Sequence, residues 1–212
     1  MQLTTWLLFT GTTLLIAFTP GPAVLLAISN SVSVGPGRAM LGSLGNAAGV
    51  FIVSAVSMAG LGVVLATSAT AFVVLKVLGA GYLIYLGVRQ WRSSANAFAA
   101  PAGGASDRGH SSMRLFGHGV TVAVTNPKSI LFFSALFPQF LTPGAPLMGQ
   151  FFVLTTTFAA CSVFSHGFYV LLARGMKRGF ANARRVRLFN RLCGGTFVLL
   201  GLGMLRLRAK AG

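Results

Sequence analysis

Two proline-interrupted segments hold the residues of this chain that could do chemistry. They read AFTPGP at 17–22 and AVTNPK at 123–128, and each has Ala-x-Thr followed by proline directly or one residue later. Proline has no N–H to bond to the carbonyl four residues before it. The breaks therefore free the backbone carbonyls of Ile16, Phe18 and Ala123. Because buried carbonyls must find other partners, each break is a candidate binding site.

A new helical segment can begin directly after each break. Thr19 and Asn126 are natural caps for such a start, and proline suits its first turn. Its free N–H groups and positive dipole end would bind a carboxylate. We therefore take the residues of both breaks as candidate substrate-binding residues: Thr19, Pro20, Gly21, Pro22, Asn126 and Pro127. A kink that only shapes packing is the alternative, but two matched breaks favour a binding site.

Two lysines, Lys76 and Lys128, stand inside otherwise apolar segments. The chain has a single acidic residue, Asp107, which lies outside those segments. A charge inside a membrane-spanning helix costs about 3 kcal/mol on insertion scales and usually marks function. A substrate carboxylate could supply the missing counter-ion, so both lysines join the candidate substrate-binding residues. Lys76 could equally extend its ammonium group to the outer interface.

Two further polar residues lie in apolar surroundings. His166 is a candidate proton relay, because histidine titrates near neutral pH, although a hydrogen-bonded core histidine fits equally well. Asn46 lies within the glycine series Gly42, Gly45 and Gly49, whose spacing predicts close helix packing. The amide of Asn46 must find a partner or face a cavity, which makes it a candidate substrate-binding residue.

Composition assigns these segments to a membrane protein. Of 212 residues, 54% are hydrophobic and 8% are charged, whereas soluble domains carry about 25% charged residues. The net charge of +16 could suggest a nucleic-acid partner. However, the basic residues gather at the ends of apolar segments, where cytoplasmic loops collect them. We therefore expect the chain to lie in a lipid bilayer and to bind no nucleic acid.

The cysteines and the N-terminus give no sign of other chemistry. Cys161 and Cys193 lie among apolar residues without metal-ligand spacing, which predicts buried thiols, no metal and no cofactor. Residues 1–18 lack Lys and Arg, and no small-residue cleavage site follows. A cleaved signal peptide is therefore not expected.

Six apolar stretches approach the ~20 residues that a helix needs to cross a bilayer, which predicts an all-α integral membrane protein. The predicted spans are residues 3–29, 40–66, 70–88, 115–137, 148–173 and 190–206. The last span is weak because Arg191 and Arg206 bracket a short apolar stretch. A five-span chain is the alternative.

The spans divide into two halves of three helices, residues 1–88 and 115–212. A flexible cytoplasmic linker rich in Ala, Ser and Gly joins them at 89–114. An odd number of spans per half makes the second half enter the membrane from the opposite face. The breaks fall in the first span of each half. The sequence thus predicts one membrane domain of two inverted three-helix repeats with broken first and fourth helices, a plan typical of secondary transporters.

Basic residues predict the orientation of the chain. They crowd the loops after the first, third and fifth spans, above all at 174–191. These loops are expected in the cytoplasm, so both termini face outward, although basic residues in the tail argue mildly against this. The basic loop at 174–191 is expected to contact anionic lipids.

Three stretches resemble the LysE/RhtB family of amino-acid exporters. FTPGPAVLLAISNSVSVGPGRAMLGSLGNAAGV resembles its first two helices, LKVLGAGYLIYLGVRQW its third and TNPKSILFFSALFPQFL its fourth. The matching residues are Gly35, Gly45, Gly49, Lys76, Gly79, Tyr82, Leu83, Gly87, Asn126, Pro127, Lys128, Pro138, Gln139 and Phe140. Ala39 departs from the usual glycine. The fifth span, CSVFSHGFYVLLA, lacks the acid of many relatives, which argues against a carboxylate-based proton relay.

The resemblance implies a multi-pass protein of the bacterial inner membrane that exports amino acids or close derivatives by proton exchange. The intramembrane lysines and the lack of acids favour a neutral substrate, small and hydroxylated or aliphatic. An uncoupled channel or an exporter of another small solute is the alternative. An enzyme is not expected, since no paired acids, metal motif or Ser-His-Asp set occurs. A homo-oligomer is compatible with the sequence.

Overall fold

Helices make up the regular structure of the part of the chain that the computed structural model describes: residues 1–67, 69–93, 111–142, 144–179 and 182–206. The α-helices are α1 (Leu3–Phe18), α2 (Pro22–Val34), α3 (Pro36–Thr67), α4 (Ala69–Arg92), α5 (Ser112–Thr125), α6 (Pro127–Leu131), α7 (Leu147–Gly179) and α8 (Ala183–Arg206). A π-helical turn (Phe132–Leu136) and a 3₁₀ turn (Phe137–Phe140) follow α6. The all-α fold predicted from composition is therefore observed across these residues.

The predicted interruptions of the first and fourth spans are confirmed. The first predicted span comprises α1 and α2, whose axes differ by 55°. The fourth predicted span comprises α5 and α6, separated by Asn126 and continued by the π-helical turn. Both second segments begin on proline, which cannot continue the preceding helix but fits a first turn.

The predicted sixth span lies within a longer helix. Residues 190–206 belong to a 24-residue helix that begins at Ala183. Asn182 starts it, because its side-chain oxygen accepts a hydrogen bond from the Arg184 N–H at 2.8 Å. The arginines that excluded this first part from an apolar span are compatible with a helix that protrudes from the membrane.

Length and composition make some of these helices candidate membrane spans. Among the described residues, Pro36–Gly60 and Leu147–Ala173 are long and apolar enough to cross a bilayer. The bent pair Leu3–Phe18 and Pro22–Val34 qualifies if it forms one span. The six-span arrangement therefore stays a prediction. So does the linker at 89–114, of which residues 94–110 lie outside the described part.

Contacts between side chains fix the relative directions of the helices. The Trp6 Nε1–H donates to Thr157 Oγ1, and eleven residues further along α1 Ala17 meets Ser165 of α7, so α1 and α7 run parallel. In contrast, α3 meets α7 through Ser54 with Thr155. Closer to the start of α3, Met40 lies against Gly167, which follows Thr155 in α7, so α3 and α7 run antiparallel.

Glycines bring α3 and α5 into backbone contact. A Cβ atom added to Gly49 would lie 2.6 Å from the Cβ of Ala123. A Cβ added to Gly45 would collide with the Phe116 carbonyl, and one added to Gly119 with the Gly42 carbonyl. The close packing predicted from the glycine spacing of α3 is confirmed. The contacts advance together along both helices, so α3 and α5 run parallel.

A second glycine-mediated pair joins α4 and α8. A Cβ on Gly194 would lie 2.5 Å from the Gly87 carbonyl oxygen, and one on Gly201 would lie 2.8 Å from that of Ala80. The order of these contacts shows that α4 and α8 run antiparallel. Both glycine pairs join a helix of the first half to one of the second, so the halves interleave rather than form separate bodies.

A cluster of phenylalanines fills the core beside the π-helical turn. Phe132 and Phe133 of the π-helical turn have ring centroids 4.6 and 4.9 Å from that of Phe158 on α7. Phe9 of α1 packs on Phe132 at 5.7 Å. This cluster packs α1 and α7 against the π-helical turn that follows α6.

Candidate functional site

The end of α1 is shaped by its own threonine. Thr19 donates its hydroxyl to the Leu15 carbonyl at 2.7 Å and its backbone N–H to the Ile16 carbonyl at 3.1 Å. Gly21, in extended conformation, is the residue that precedes α2. The prediction that Thr19 caps the second half-helix is therefore wrong: its hydroxyl turns back to α1, because Pro20 and Pro22 separate it from the N–H groups of α2.

The second break follows the predicted geometry more closely. Asn126 has extended backbone angles, and its side-chain oxygen accepts the backbone N–H of Lys128 at 3.1 Å. The predicted cap at the start of α6 is confirmed. The Ala123 carbonyl, freed by Pro127, accepts the Asn126 N–H at 3.3 Å instead.

Donors from α6 and α7 occupy the last carbonyls of α1. Ser165 donates its hydroxyl to the Ala17 carbonyl at 2.8 Å, and Tyr169 donates to the Phe18 carbonyl at 2.6 Å. Lys128 donates its ammonium to the remaining two, as described next. The carbonyls of Ile16 and Phe18, which the first break frees, are thus bonded to the protein in this conformation.

Lys128 joins the two breaks. Its Nζ donates to the carbonyls of Ile16 at 3.0 Å and Thr19 at 2.8 Å, and its side chain is only 9% exposed. The ring centroid of Phe197 on α8 lies 5.9 Å from Nζ. The negative end of the α1 dipole and an aromatic face therefore stabilise the charge.

The ammonium group of Lys128 retains capacity for an anion. It has three N–H donors, and backbone carbonyls take two of them. The only acidic side chain, that of Asp107, lies outside the described residues. A Cβ on Gly21 would lie 3.3 Å from Nζ, so the absence of a side chain there makes room for the ammonium group. The site can thus offer one N–H and a positive charge to a carboxylate.

The other predicted site residues divide into three groups. Thr19, Pro20 and Asn126 are buried around Lys128, and Gly21 and Pro127 are half-buried, whereas Pro22 is exposed. Asn46 and His166 are 3% exposed on the flanking helices α3 and α7. Lys76 belongs to α4, but its side chain lies outside the part of the structure that is described.

Several buried polar atoms lack a hydrogen-bond partner among the described residues. They are Asn46 Oδ1, His166 Nδ1, Ser43 Oγ, Asn30 Nδ2 and Thr13 Oγ1. Such atoms cost about 1–3 kcal/mol each when nothing satisfies them. On α7, His166 directly follows Ser165, which contacts the end of α1, so its free nitrogen lies at the level of the first break.

Sequence reasoning missed the part that α8 takes in the site. A groove of about 630 Å³ runs between α1 and α8 and reaches Thr19, Cys193 and Thr196. The signal available was CGGT at 193–196, small and polar residues within an apolar span. Cys161 and Cys193 are buried and free, as predicted.

We expect the bonds that α7 makes to α1 to stabilise the break. Ser165→Ala and Tyr169→Phe each leave a buried carbonyl without its donor, which costs about 1–3 kcal/mol. Thermal unfolding in detergent should show a lower melting temperature for both variants. Ser134→Ala is the control, because the Ser134 hydroxyl bonds within its own turn, to the Ile130 carbonyl. Equal effects of Ser165→Ala and Ser134→Ala would contradict the stabilising role.

A comparison with known protein families matches most of the chain. The model of a family described as LysE type translocator matches residues 14–208, which include both breaks and all of the site residues discussed above except Thr13. No solved structure matches the chain.

Curated relatives match over most of their length. The homoserine/homoserine lactone efflux protein of Salmonella typhimurium is 31% identical over 196 residues, 92% of this chain and 93% of that protein. An uncharacterized membrane protein of Vibrio cholerae is 33% identical over an alignment of 214 positions, which covers 100% of this chain and 100% of that protein. The leucine efflux protein of Salmonella typhimurium is 33% identical over 161 residues, 74% of this chain and 73% of that protein.

Proposed function

We propose that this chain, which belongs to the LysE type translocator family, exports amino acids or close derivatives from the cytoplasm as a secondary transporter. The relatives named for homoserine, homoserine lactone and leucine efflux support amino-acid export. The structural observation behind the proposal is the buried ammonium of Lys128, which lies between two helix breaks and has no carboxylate partner among the described residues.

The proposed substrate is a neutral amino acid, small and hydroxylated or aliphatic. Its carboxylate would take the third N–H of Lys128, near Asn126 and the first break. A cationic side chain would meet this ammonium group with no acid to offset the repulsion, since Asp107 is the only acidic residue in the chain. Lys76 would add a second positive charge if its side chain extends into the same cavity.

The proposed architecture is six spans in two inverted repeats. The helix directions support it. If successive spans alternate in direction, α3 runs parallel to α5 and α4 antiparallel to α8, as the glycine contacts require.

The proposed location is the bacterial inner membrane, with the loops after the first, third and fifth spans in the cytoplasm. The basic loop at 174–191 would then contact anionic lipids; the side chains at 174–181 lie outside the described residues. Proton antiport with His166 as relay is the proposed coupling, and association into a homo-oligomer is compatible with the exposed apolar helix faces. An uncoupled channel or an exporter of another small solute is the alternative.

Efflux from proteoliposomes tests the proposed function. Vesicles containing the purified protein are preloaded with single amino acids, and efflux is followed with and without a pH gradient of about one unit. We expect neutral amino acids to leave faster than from protein-free vesicles, and the pH gradient to drive efflux against a concentration gradient. Downhill efflux alone would identify a channel. Transport of only lysine and arginine would contradict the charge argument.

A further inference from the structure

Asn46 and Ser43 present a pair of unsatisfied polar atoms to the site. Asn46 Oδ1 and Ser43 Oγ are buried, with side chains 3% and 2% exposed, and neither has a hydrogen-bond partner among the described residues. They do not bond to each other. The two residues are three positions apart on α3, so their side chains lie about one helical turn apart on adjoining faces. A single small polar group could therefore reach both.

The position of these two residues on α3 directs them towards the breaks. The stripe of Gly42, Gly45 and Gly49 faces α5, whereas Met40 and Ser54 face α7. At 100° per residue, Asn46 and Ser43 lie between these two faces. They thus line the angle between α5 and α7, where Ala39 of α3 packs with Ala27 of α2 and Val170 of α7.

The level of Asn46 along α3 matches the course of the Lys128 side chain. A Cβ on Gly119 would lie 2.8 Å from the Asn46 backbone nitrogen, so Asn46 lies beside the middle of α5. Lys128 starts beyond the end of α5 and reaches back to the end of α1, where the Ala17 carbonyl accepts from Ser165 of α7. The contacts of α3 with α7, Met40 with Gly167 and Ser54 with Thr155, place Ser165 level with Ser43 and about one turn from Asn46. The end of the Lys128 side chain therefore lies at the level of these two residues.

We propose that Asn46 and Ser43 form the subsite for a hydroxyl group on the substrate side chain and thereby determine specificity for hydroxylated amino acids. This inference rests on the proposed function and adds the residues that choose among neutral substrates. The substrate hydroxyl donates to Asn46 Oδ1 and accepts the hydroxyl proton of Ser43. Lys128 holds the carboxylate of the substrate.

The hydrogen-bonding capacity of the two residues favours a hydroxyl over other polar groups. A hydroxyl both donates and accepts, so it satisfies Asn46 whichever way its amide is turned, together with Ser43. A second ammonium group would only donate and would lie near the ammonium of Lys128. A methyl group would leave both atoms without a partner, which opposes binding of the analogue that lacks the hydroxyl. Sites that bond to a substrate hydroxyl discriminate strongly against analogues that lack it.

Paired substrates that differ by one hydroxyl test the inference. The assay measures efflux of 2-amino-4-hydroxybutanoate and of 2-aminobutanoate from proteoliposomes, and compares kcat/KM for the two. We expect the wild-type protein to prefer the hydroxylated compound by at least about 10-fold. Asn46→Ala should reduce that ratio towards one, because kcat/KM should fall more for the hydroxylated compound than for 2-aminobutanoate. Ser43→Ala should reduce the ratio partly.

Ser54→Ala is the matched control, because Ser54 also lies on α3 but is bonded to Phe51 and Thr155. The ratio of kcat/KM for the two compounds should be the same in Ser54→Ala as in the wild type. A wild-type ratio near one, with both compounds exported, would overturn the subsite and leave the proposed function intact. Equal losses for both compounds in folded Asn46→Ala and Ser43→Ala would also overturn it. If the wild type exports neither compound nor any other amino acid, the proposed function itself fails.

Discussion

Replacing Lys128 with methionine should abolish most export, by roughly 100-fold or more. Methionine has nearly the same length and retains the apolar contacts of the side chain. It removes two charged hydrogen bonds to the carbonyls of Ile16 and Thr19 and the N–H proposed to hold the substrate carboxylate. Hydrogen bonds to charged groups contribute about 1.5–3 kcal/mol each, and about 1.4 kcal/mol corresponds to tenfold. Initial efflux rates from proteoliposomes provide the measurement.

Two variants make the Lys128 result specific. Ile130→Met introduces the same side chain two residues away, at a position that is 41% exposed, and should leave export within about twofold. Lys128→Arg retains the charge, but we do not expect this variant to export amino acids at the wild-type rate. The larger guanidinium group must fit where a Cβ on Gly21 would already lie 3.3 Å from the ammonium. Export by Lys128→Met at more than half the wild-type rate would refute the proposed role of this ammonium group.

Adding one methyl group at Gly119 should strongly destabilise the fold. The Cβ of Gly119→Ala would collide with the Gly42 carbonyl and lie 2.8 Å from the Asn46 backbone nitrogen, so α3 and α5 must separate. Because these contacts are backbone, no side chain can rotate away. Overpacking of this kind costs about 1–3 kcal/mol or more. We expect the melting temperature in detergent to fall by about 5–10 °C.

Gly117→Ala provides the control on the same helix. A Cβ at Gly117 meets nothing within 4 Å, and both substitutions gain the same helix propensity of about 1 kcal/mol. Gly117→Ala should therefore leave the melting temperature unchanged or raise it slightly. If Gly119→Ala and Gly117→Ala have the same melting temperature, the close approach of α3 and α5 does not contribute to stability as described.

Local chemistry made the breaks and the glycine contacts predictable. Proline cannot donate a backbone hydrogen bond wherever it stands, so the ends of α1 and α5 follow from Pro20 and Pro127 alone. The spacing of Gly42, Gly45 and Gly49 likewise requires that one face of α3 be flat. That Lys128 would be unusual followed from counting acids, since the chain has one.

The partners of these groups could not be predicted, because they depend on tertiary packing. Lys128 bonds to carbonyls more than one hundred positions earlier, and every residue has such a carbonyl, so no residue type marks the acceptor. Ser165 and Tyr169 resemble ordinary packing residues until α7 is placed beside α1. Thr19 was assigned to the wrong helix because a threonine hydroxyl can bond in either direction along the chain.

The bonds between Lys128 and main-chain oxygens have an evolutionary consequence. Substitutions at Ile16 or Thr19 leave those oxygen atoms in the chain, so these positions can drift while the contact persists. Pro20 and Lys128, in contrast, cannot be substituted independently. Pro20 frees the Ile16 carbonyl, and Lys128 donates a hydrogen bond to it. Among descendants of a common ancestor, loss of one should be accompanied by loss of the other. Covariation should therefore link a proline and a lysine whose side chains need not touch.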